Sequence, residues 1–426
     1  IEDMPPTAFI RRQLEAYDYL GLFLLATLFF SLGLAILMVV QKVTTADMLR
    51  VVRDAATGEP VNPALHRGMR WHLFISHIWA SAQDQAATIK RRLQLLVPDA
   101  SVFLDVDDLE NIGDLEEHVA ATQVVLIVLS KGYFASPNCM REVSACHAEQ
   151  KPLVLVHEMD EAKGGAPLDR LRSECAADVR PYVFGTPWSP RTIIPWHRIS
   201  DYQLVSFKLI VGAMLRACPE YTHATLPELF IPKEPSHLRL AFRSRVRLYV
   251  SHNNPGAPRV AQTLQAGLDG RIELTWDPKD MPAPRDQSTA ARRTRRSSGG
   301  AHARSPEAQA ATHFLLYLSD LTFAKAKGER LAKEVRRARS ASLPIVMVHE
   351  NDPGHHGCAF GHFFSVTPSD LIESGLYRDL AVAYFPGAFR STSTALVARK
   401  LGAVSAGSWR QGGGFSTAGC ASAAEA

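Results

Sequence analysis

The sequence lacks several of the patterns that announce a common kind of site. No GxGxxG or Walker A motif occurs, which argues against a dinucleotide-phosphate or P-loop enzyme. The net charge of +4 is small for 426 residues, which argues against a nucleic-acid partner. Six cysteines show neither CxxC spacing nor a regular framework, so we predict reduced thiols in a cytosolic compartment and no zinc site. They are Cys139, Cys146, Cys175, Cys218, Cys358 and Cys420.

Two further segments resemble metal sites and fail the standard patterns. The stretch "HENDPGHHGCAFGH" (349–362) has histidines and a cysteine, but their spacing matches no standard site. The acidic stretch "DVDDLENIGDLEE" (105–117) has Leu109 and Glu110 where a calcium-binding EF-hand loop needs an acid or Asn and then Gly. We therefore predict no metal.

One long run is uncharged and apolar, "YLGLFLLATLFFSLGLAILMVV" (19–40). At about 1.5 Å per residue it is long enough to cross a hydrocarbon core, so it predicts a transmembrane helix. A signal peptide has a shorter apolar core, and a buried helix usually keeps a polar face. Both alternatives are therefore disfavoured.

The flanking charges favour a cytoplasmic location for the C-terminal side, and the cysteine argument agrees. These charges are Arg11 and Arg12 before the run and Lys42, Arg50 and Arg53 after it. Because the chain opens with Ile1, we expect an upstream part, such as an extracellular sensor.

The chain carries one unit twice. Three blocks recur in the same order, which indicates an internal duplication. The pairs are "RWHLFISH" (70–77) and "RVRLYVSH" (245–252), "ATQVVLIVLS" (121–130) and "ATHFLLYLS" (311–319), and "KPLVLVHEMD" (151–160) and "LPIVMVHEND" (343–352).

Each copy alternates short apolar runs with helical stretches, which is typical of strands buried on both faces of a parallel sheet. We predict an α/β fold, a flavodoxin-like open parallel sheet of about five strands, present twice. In the first copy the predicted strands are 71–76, 101–104, 123–129, 152–157 and 192–196, and two predicted helices are 84–96 and 200–215, the second capped by Ser200.

The predicted organisation has seven segments. They are an extracytoplasmic stub (1–18), the transmembrane helix (19–40), a juxtamembrane segment (41–69), a first domain (70–217), a linker (218–244), a second domain (245–401) and a disordered tail (402–426).

The first copy resembles the TIR (Toll/interleukin receptor) domain family. "LFISH" is similar to the family's first-strand box, "VFLDVDDLENIGDLEEHV" to its second strand and BB loop, "VVLIVLSKGYFASPNCMREV" to its third strand and helix αC, and "PLVLV" to its fourth strand. The resemblance covers 71–217 well and 245–401 poorly, so the second copy is interpreted as a degenerate TIR-like domain.

The resemblance implies two kinds of work: homotypic assembly with other TIR domains in signalling, and, in some members, hydrolysis of NAD+ at the nicotinamide–ribose bond. In enzymatic members a glutamate on helix αC is catalytic, often three residues after a cysteine. "CMRE" places Glu142 and Cys139 there. The tryptophan common before that cysteine is Asn138 here, so Trp79 is a candidate to supply the missing stacking wall.

The residues around Glu142 fit a ligand-facing carboxylate. On a helix capped by Ser136, Glu142 shares a stripe with Cys139 and Cys146, and none of the residues three or four positions away in the helix is cationic. Cleavage of NAD+ suits a single carboxylate, because nicotinamide leaves as a neutral molecule and the ribosyl transition state is cationic. The alternative is that Glu142 is an ordinary exposed helix residue.

The second copy has Glu334 at the matching position, with Arg330 at i−4 and Arg337 at i+3. Such pairs are each worth about 0.2 to 0.5 kcal/mol, so local ion pairing accounts for this glutamate. Leu331 replaces the cysteine. If either copy is catalytic, we expect the first.

Four residues lie at the C-terminal end of the first strand, which is the sheet edge where open α/β folds bind ligands. We expect them in the NAD+ site: Ser76, His77, Ile78 and Trp79. The Ser-His pair recurs in the second copy, so a structural role is an alternative for it. A core position is the alternative for Trp79.

Asp105 and Glu110 belong to the acidic BB loop. The resemblance implies that acids of this loop contact ribose hydroxyls or a basic TIR surface, and the alternative is an acidic loop that contacts only solvent. Its counterpart in the second copy is the basic insertion 285–305, interpreted as a disordered loop, with anionic lipid contact as the weaker alternative.

Together these features predict a membrane-anchored signalling protein with NAD+ as substrate. The alternative is a TIR assembly module without catalysis. A third class, a small-molecule reductase on the same fold, is disfavoured because the sequence has no flavin or dinucleotide phosphate loop.

Overall fold

A computed structural model describes most of the chain, and side chains of the first helix are described for 19–40 only. The described residues are 6–46, 50–104, 115–221, 226–232, 234–236, 240–268, 271–283 and 310–405. Asp105, Glu110 and the insertion 285–305 lie outside them. The chain divides into two compact units, Ile1–Glu234 and Pro235–Ala426, and their boundary lies within the predicted linker.

The first helix, α1, spans Pro6–Ala46. Its segment Tyr19–Val40 has 22 residues, a mean hydropathy of 2.6 and no buried residue in the described structure. By length and composition this segment could cross a membrane.

The first unit is built on a five-stranded parallel sheet with the order β2-β1-β3-β4-β5. Its strands are β1 (Trp71–Ser76), β2 (Val102–Leu104), β3 (Thr122–Leu129), β4 (Leu153–Glu158) and β5 (Ile193–Trp196). The predicted α/β fold with a parallel sheet is confirmed, and the strands match the predicted ones to within one residue at each end.

Helices cover both faces of this sheet. They are α2 (Trp79–Leu96), α3 (Leu115–Ala120), α4 (Pro137–Ala148), α5 (Leu168–Glu174), α6 (Arg180–Phe184) and α7 (Ser200–Leu215). Consecutive strand residues point to opposite faces, so Ile75 packs in the core with α2 and α7, whereas Phe74 packs in the core with α4. Ser200 begins α7, but its side chain does not cap the helix, because the cap position is Ile199.

The predicted juxtamembrane and linker segments contribute to this unit. Arg53–Asp54 pairs antiparallel with Leu229–Phe230, and Val52, Val61 and Ile231 are buried in the core on the α2 and α7 face. Hydrophobic burial therefore holds parts of both segments on the domain.

The second unit repeats the sheet, with the order β7-β6-β8-β9-β10. Its elements are β6 (Val246–Val250), α8 (Ala257–Gly267), β7 (Ile272–Thr275), β8 (His313–Leu318), α9 (Lys325–Ser340), β9 (Ile345–Glu350), α10 (Phe363–Val366), α11 (Ser369–Glu373), β10 (Val382–Tyr384) and α12 (Arg390–Lys400).

The two sheets also share their register. Ile75 lies opposite Leu126 in the first unit, and Val250 lies opposite Leu315 in the second. Outside this sheet, Leu240–Phe242 pairs antiparallel with Ala403–Ser405, so residues assigned by sequence to the linker and the tail form a strand pair.

Candidate functional site

Glu142 lies on α4, a helix whose start is set by local sequence. The Ser136 hydroxyl accepts a hydrogen bond from the Cys139 amide at 3.4 Å, and Pro137 occupies the first helical position. This places Glu142 on the face of α4 that packs on the sheet, where its side chain is only 3% exposed. The alternative of an ordinary exposed helix residue is therefore wrong.

Three elements converge on the Glu142 carboxylate. Ser76, at the end of β1, donates its hydroxyl proton to Oε2 of Glu142. The Ser76 oxygen also contacts the hydroxyl of Tyr133, which lies in the short helix after β3. Because the single Ser76 proton goes to Glu142, Tyr133 must donate to Ser76. The result is a buried chain from Tyr133 through Ser76 to Glu142.

The neighbours of Glu142 stay neutral at physiological pH. Burial, followed by the charges of Cys139 and Glu142, raises the pKa of Tyr133 well above its usual range. Burial, followed by the charge of Glu142, raises the pKa of Cys146 to about 12. Both groups therefore hold their protons, and neither competes with Glu142 as a base or nucleophile at neutral pH.

Of the other residues predicted for the NAD+ site, some lie at Glu142 and others lie elsewhere. Cys139 is buried and its thiol donates to the carbonyl of His77 at 3.4 Å, which brings both residues to the Glu142 site. Ile78 is partly buried and packs against the cores on both faces of the sheet. Trp79 is the first residue of α2 and 57% exposed, so the core alternative for it is wrong.

Trp79 lines a cavity of about 430 Å³ at the start of α2. Its lining residues come from α2, from the loop after β4 and from the loop after β5: Trp79, Ala80, Ser81, Gln83, Asp84, Gln85, Lys163, Gly164 and Arg198. Glu142, Ser76, His77 and Cys139 are not among them. The structure thus does not group Trp79 with Glu142 in one cavity.

A buried carboxylate organises this cavity. Glu158, at the end of β4, is 1% exposed and forms an ion pair with Arg198. The Gln85 amide donates to Glu158 Oε2 at 3.1 Å and to the Lys163 carbonyl at 2.8 Å. The Asp160 amide donates to the other carboxylate oxygen of Glu158, Oε1, at 3.0 Å. Glu158 is not among the predicted site residues, although the "VHE" that recurs in the repeated blocks is a sequence signal for it.

The second unit has its own buried glutamate at the same strand position. Glu350 forms ion pairs with Arg259 at 3.0 Å and Arg390 at 3.2 Å, and Tyr317 donates to it at 2.8 Å. The repeated carboxylate of the duplicated strand is therefore an ion-paired structural group in both units.

Glu334 is not held as the sequence predicts. Within the described residues it has no ion pair with Arg330 or Arg337, and its Oε1 instead accepts from the Asn253 side chain at 2.7 Å. The prediction of local pairing is wrong because α9 turns this half-buried carboxylate toward the end of β6.

In the part of the chain that the structure describes, no group of three or more His, Cys, Asp or Glu side chains is arranged to hold a metal ion.

Comparison with known proteins identifies the first unit. A family model for the TIR domain matches residues 73–180. No curated protein matches the chain. Among solved structures, a metazoan TIR-STING receptor from C. gigas in complex with 2',3'-cGAMP is 15% identical, over 36% of this chain and 42% of that receptor, with a TM-score of 0.27. The TIR domain of the Toll-related receptor TRR-2 from Hydra magnipapillata is 12% identical, over 34% of this chain and 98% of that domain, with a TM-score of 0.25. The match to the family model shows that residues 73–180 of this chain form a TIR domain.

Proposed function

We propose that the TIR domain hydrolyses NAD+ at the nicotinamide–ribose bond and that Glu142 is its catalytic carboxylate. The observation that carries the proposal is the placement of Glu142, a buried carboxylate on α4 whose Oε2 is fixed by the Ser76 hydroxyl. It occupies the position where the family's enzymatic members carry their glutamate.

The chemistry requires little beyond one oriented negative charge. The bond between ribose C1′ and the pyridinium nitrogen breaks, the electron pair goes to nitrogen, and nicotinamide leaves neutral. Glu142 stabilises the positive charge that develops on the ribosyl ring. Water supplies the hydroxyl that ends on C1′, and its remaining proton is released to solvent. Ser76 positions the carboxylate, and the neutral Tyr133 hydroxyl fixes Ser76.

The test measures nicotinamide release by the full chain in detergent micelles, over a range of protein concentrations. We expect release by the wild type and a loss of about 10² to 10³-fold in Glu142→Gln, which keeps the shape of the side chain and removes its charge. Glu334→Gln, the matched change in the second unit, should leave release unchanged. Circular dichroism checks that each variant is folded.

A second candidate function is TIR assembly without catalysis. The burial of Glu142 favours it, because a carboxylate that is 3% exposed also serves as a structural link between β1 and α4. Background-level nicotinamide release by the wild type at every concentration would reject hydrolysis. Concentration-dependent self-association of the same sample by light scattering would then favour assembly.

We also propose that Tyr19–Val40 anchors the chain in a membrane with both units on the cytoplasmic side and that the second unit is a TIR-like scaffold. The apolar helix supports the first point and the shared strand order supports the second. Resistance to carbonate extraction, lost on deletion of 19–40, tests anchoring. Protease digestion of both units in sealed vesicles that expose only the opposite face would contradict the orientation.

A further inference from the structure

The two units carry different side chains at equivalent positions near their buried strand-end glutamates, and in the first unit these positions adjoin the cavity at the start of α2. The shared register aligns Val128 with Tyr317, and the shared Ser-His pair aligns Asp84 with Arg259. In the second unit Tyr317 and Arg259 both reach the buried Glu350. The first unit has the shorter Val128 and Asp84 there, and a cavity of about 430 Å³ lies beside the matching Glu158.

Backbone geometry suits each arrangement. Gly256 packs so closely on the Tyr317 ring that an added Cβ would lie 2.3 Å from it. In the first unit the tight contact is instead at the cavity wall, where Gly164 has φ +86 and a Cβ would lie 2.2 Å from the Ser81 carbonyl. The cavity wall is thus a closely packed part of the fold.

Two cationic groups of the lining are available to a ligand. Arg198 is 43% exposed, and its Nη2 forms an ion pair with the buried Glu158 carboxylate. This pair fixes the orientation of the guanidinium. Within the described residues its Nε and its other terminal nitrogen donate no hydrogen bond, and the Lys163 ammonium forms neither a hydrogen bond nor an ion pair. An oriented guanidinium and an ammonium in the lining of one cavity are a suitable donor set for a phosphate.

Two acceptors face the same cavity. Gln85 is 5% exposed and both its amide hydrogens have acceptors, Glu158 and the Lys163 carbonyl. Its side-chain oxygen, by contrast, accepts no hydrogen bond from any described residue. A carbonyl oxygen without a protein donor at the edge of a cavity favours a ligand with a donor group. The Asp84 carboxylate, which also has no partner in the described parts of the chain, accepts from hydroxyls as well.

Trp79 adds an apolar surface. It lines the cavity and is 57% exposed, so a planar or ring-shaped group can pack on the indole. The lining therefore combines donors for an anion, acceptors for hydroxyls and an aromatic wall, in a volume typical of small-molecule sites.

We propose that this cavity binds a phosphorylated ribose carrying a base, that is, a nucleoside monophosphate. Lys163 and Arg198 bind the phosphate, Asp84 and Gln85 accept from the ribose hydroxyls, and Trp79 packs on the base. The site is separate from the Glu142 site and does not depend on NAD+ hydrolysis.

Isothermal titration calorimetry of the full chain in detergent tests the site, with AMP as the probe. Adenosine, ribose 5-phosphate and inorganic phosphate separate the contributions of base, sugar and anion. We expect saturable binding of one AMP, weaker binding of ribose 5-phosphate, and a loss of about 10-fold or more in AMP affinity in Lys163→Gln and in Trp79→Ala. Both side chains are exposed, so neither change should unfold the domain.

Two variants separate a built site from general charge attraction. Lys131→Gln removes the same charge from an exposed lysine outside the lining and should leave AMP affinity unchanged. Asp84→Arg imports the arginine that the second unit has here, and it should weaken AMP binding by filling the cavity even though it adds positive charge. Tighter binding in Asp84→Arg, equal losses in the two lysine variants, or no saturable AMP binding would each overturn the proposal.

Discussion

The strongest structural prediction concerns Ser76, because one hydroxyl serves two buried groups. Ser76→Ala removes the donor to Glu142 and the acceptor for Tyr133, while it changes side-chain volume very little. We expect the substitution to destabilise the first unit more than a typical buried serine would.

The magnitude follows from the two bonds. Loss of a hydrogen bond to a charged group costs about 1.5 to 3 kcal/mol, and a buried hydroxyl left without its partner costs about 1 to 3 kcal/mol. The two terms share one oxygen and do not simply add. For Ser76→Ala we therefore expect a loss of about 3 kcal/mol in the free energy of unfolding of the first unit.

The assay should report each unit separately, because a chain of two compact units need not unfold in one step. Hydrogen exchange measured by mass spectrometry at increasing urea follows β1 and α4 in the first unit and β6 and α9 in the second. Ser251→Ala is the matched control. Ser251 is also buried, but among the described residues its hydroxyl accepts only from the Asn253 amide, at 2.9 Å, so we expect a loss of about 1 kcal/mol, confined to the second unit.

A loss of stability in Ser76→Ala that is no larger than in Ser251→Ala would refute this role of Ser76. That outcome would mean that the Glu142 carboxylate does not depend on Ser76 for its position. It would also remove the positioning role of Ser76 from the proposed hydrolysis.

Two further predictions use buried titratable groups of the first unit. Burial lowers the pKa of His197 to about 4 from 6.5, so the unfolded chain takes up a proton that the folded chain rejects. The free energy of unfolding should fall as pH drops from 6.5 toward 4, by up to about 3 kcal/mol, and His197→Gln should flatten this dependence in urea titrations. The Lys151 ammonium is buried and donates to the carbonyls of Ala120 at 2.6 Å and Thr122 at 2.9 Å. Lys151→Met should cost the first unit about 2 kcal/mol by hydrogen exchange, whereas Lys131→Met should change nothing, and equal effects would contradict this role.

Much of the fold is readable from local sequence. Runs such as "VVLIVLS" are apolar on both sides because their strands are covered on both faces, and Ser136 with Pro137 fixes where α4 starts. Local periodicity also placed Glu142 on a stripe with Cys139 and Cys146, and all three are buried.

The hydrogen-bond and ion-pair partners of the site residues could not be predicted from the sequence. Ser76 lies 66 positions before Glu142, and Arg198 lies 40 positions after Glu158. The sequence spacing says nothing about such pairs, because only the order of strands in the sheet brings their ends together. The same limit explains Glu334, for which helical neighbours predicted arginines, whereas its Oε1 accepts from Asn253, which lies 81 positions away.

The sequence by itself therefore determined the apolar segment, the repeated sequence blocks, the parallel α/β sheets and the TIR resemblance, since each depends on residues close together in the chain or on a repeated pattern. Only the tertiary structure decided that Glu142 is buried and bound by Ser76, and that Trp79 belongs to a cavity beside Glu158. Burial and long-range hydrogen bonds depend on how separate elements pack, as the Glu158–Arg198 pair of the first unit and the Glu350–Tyr317 hydrogen bond of the second unit both illustrate.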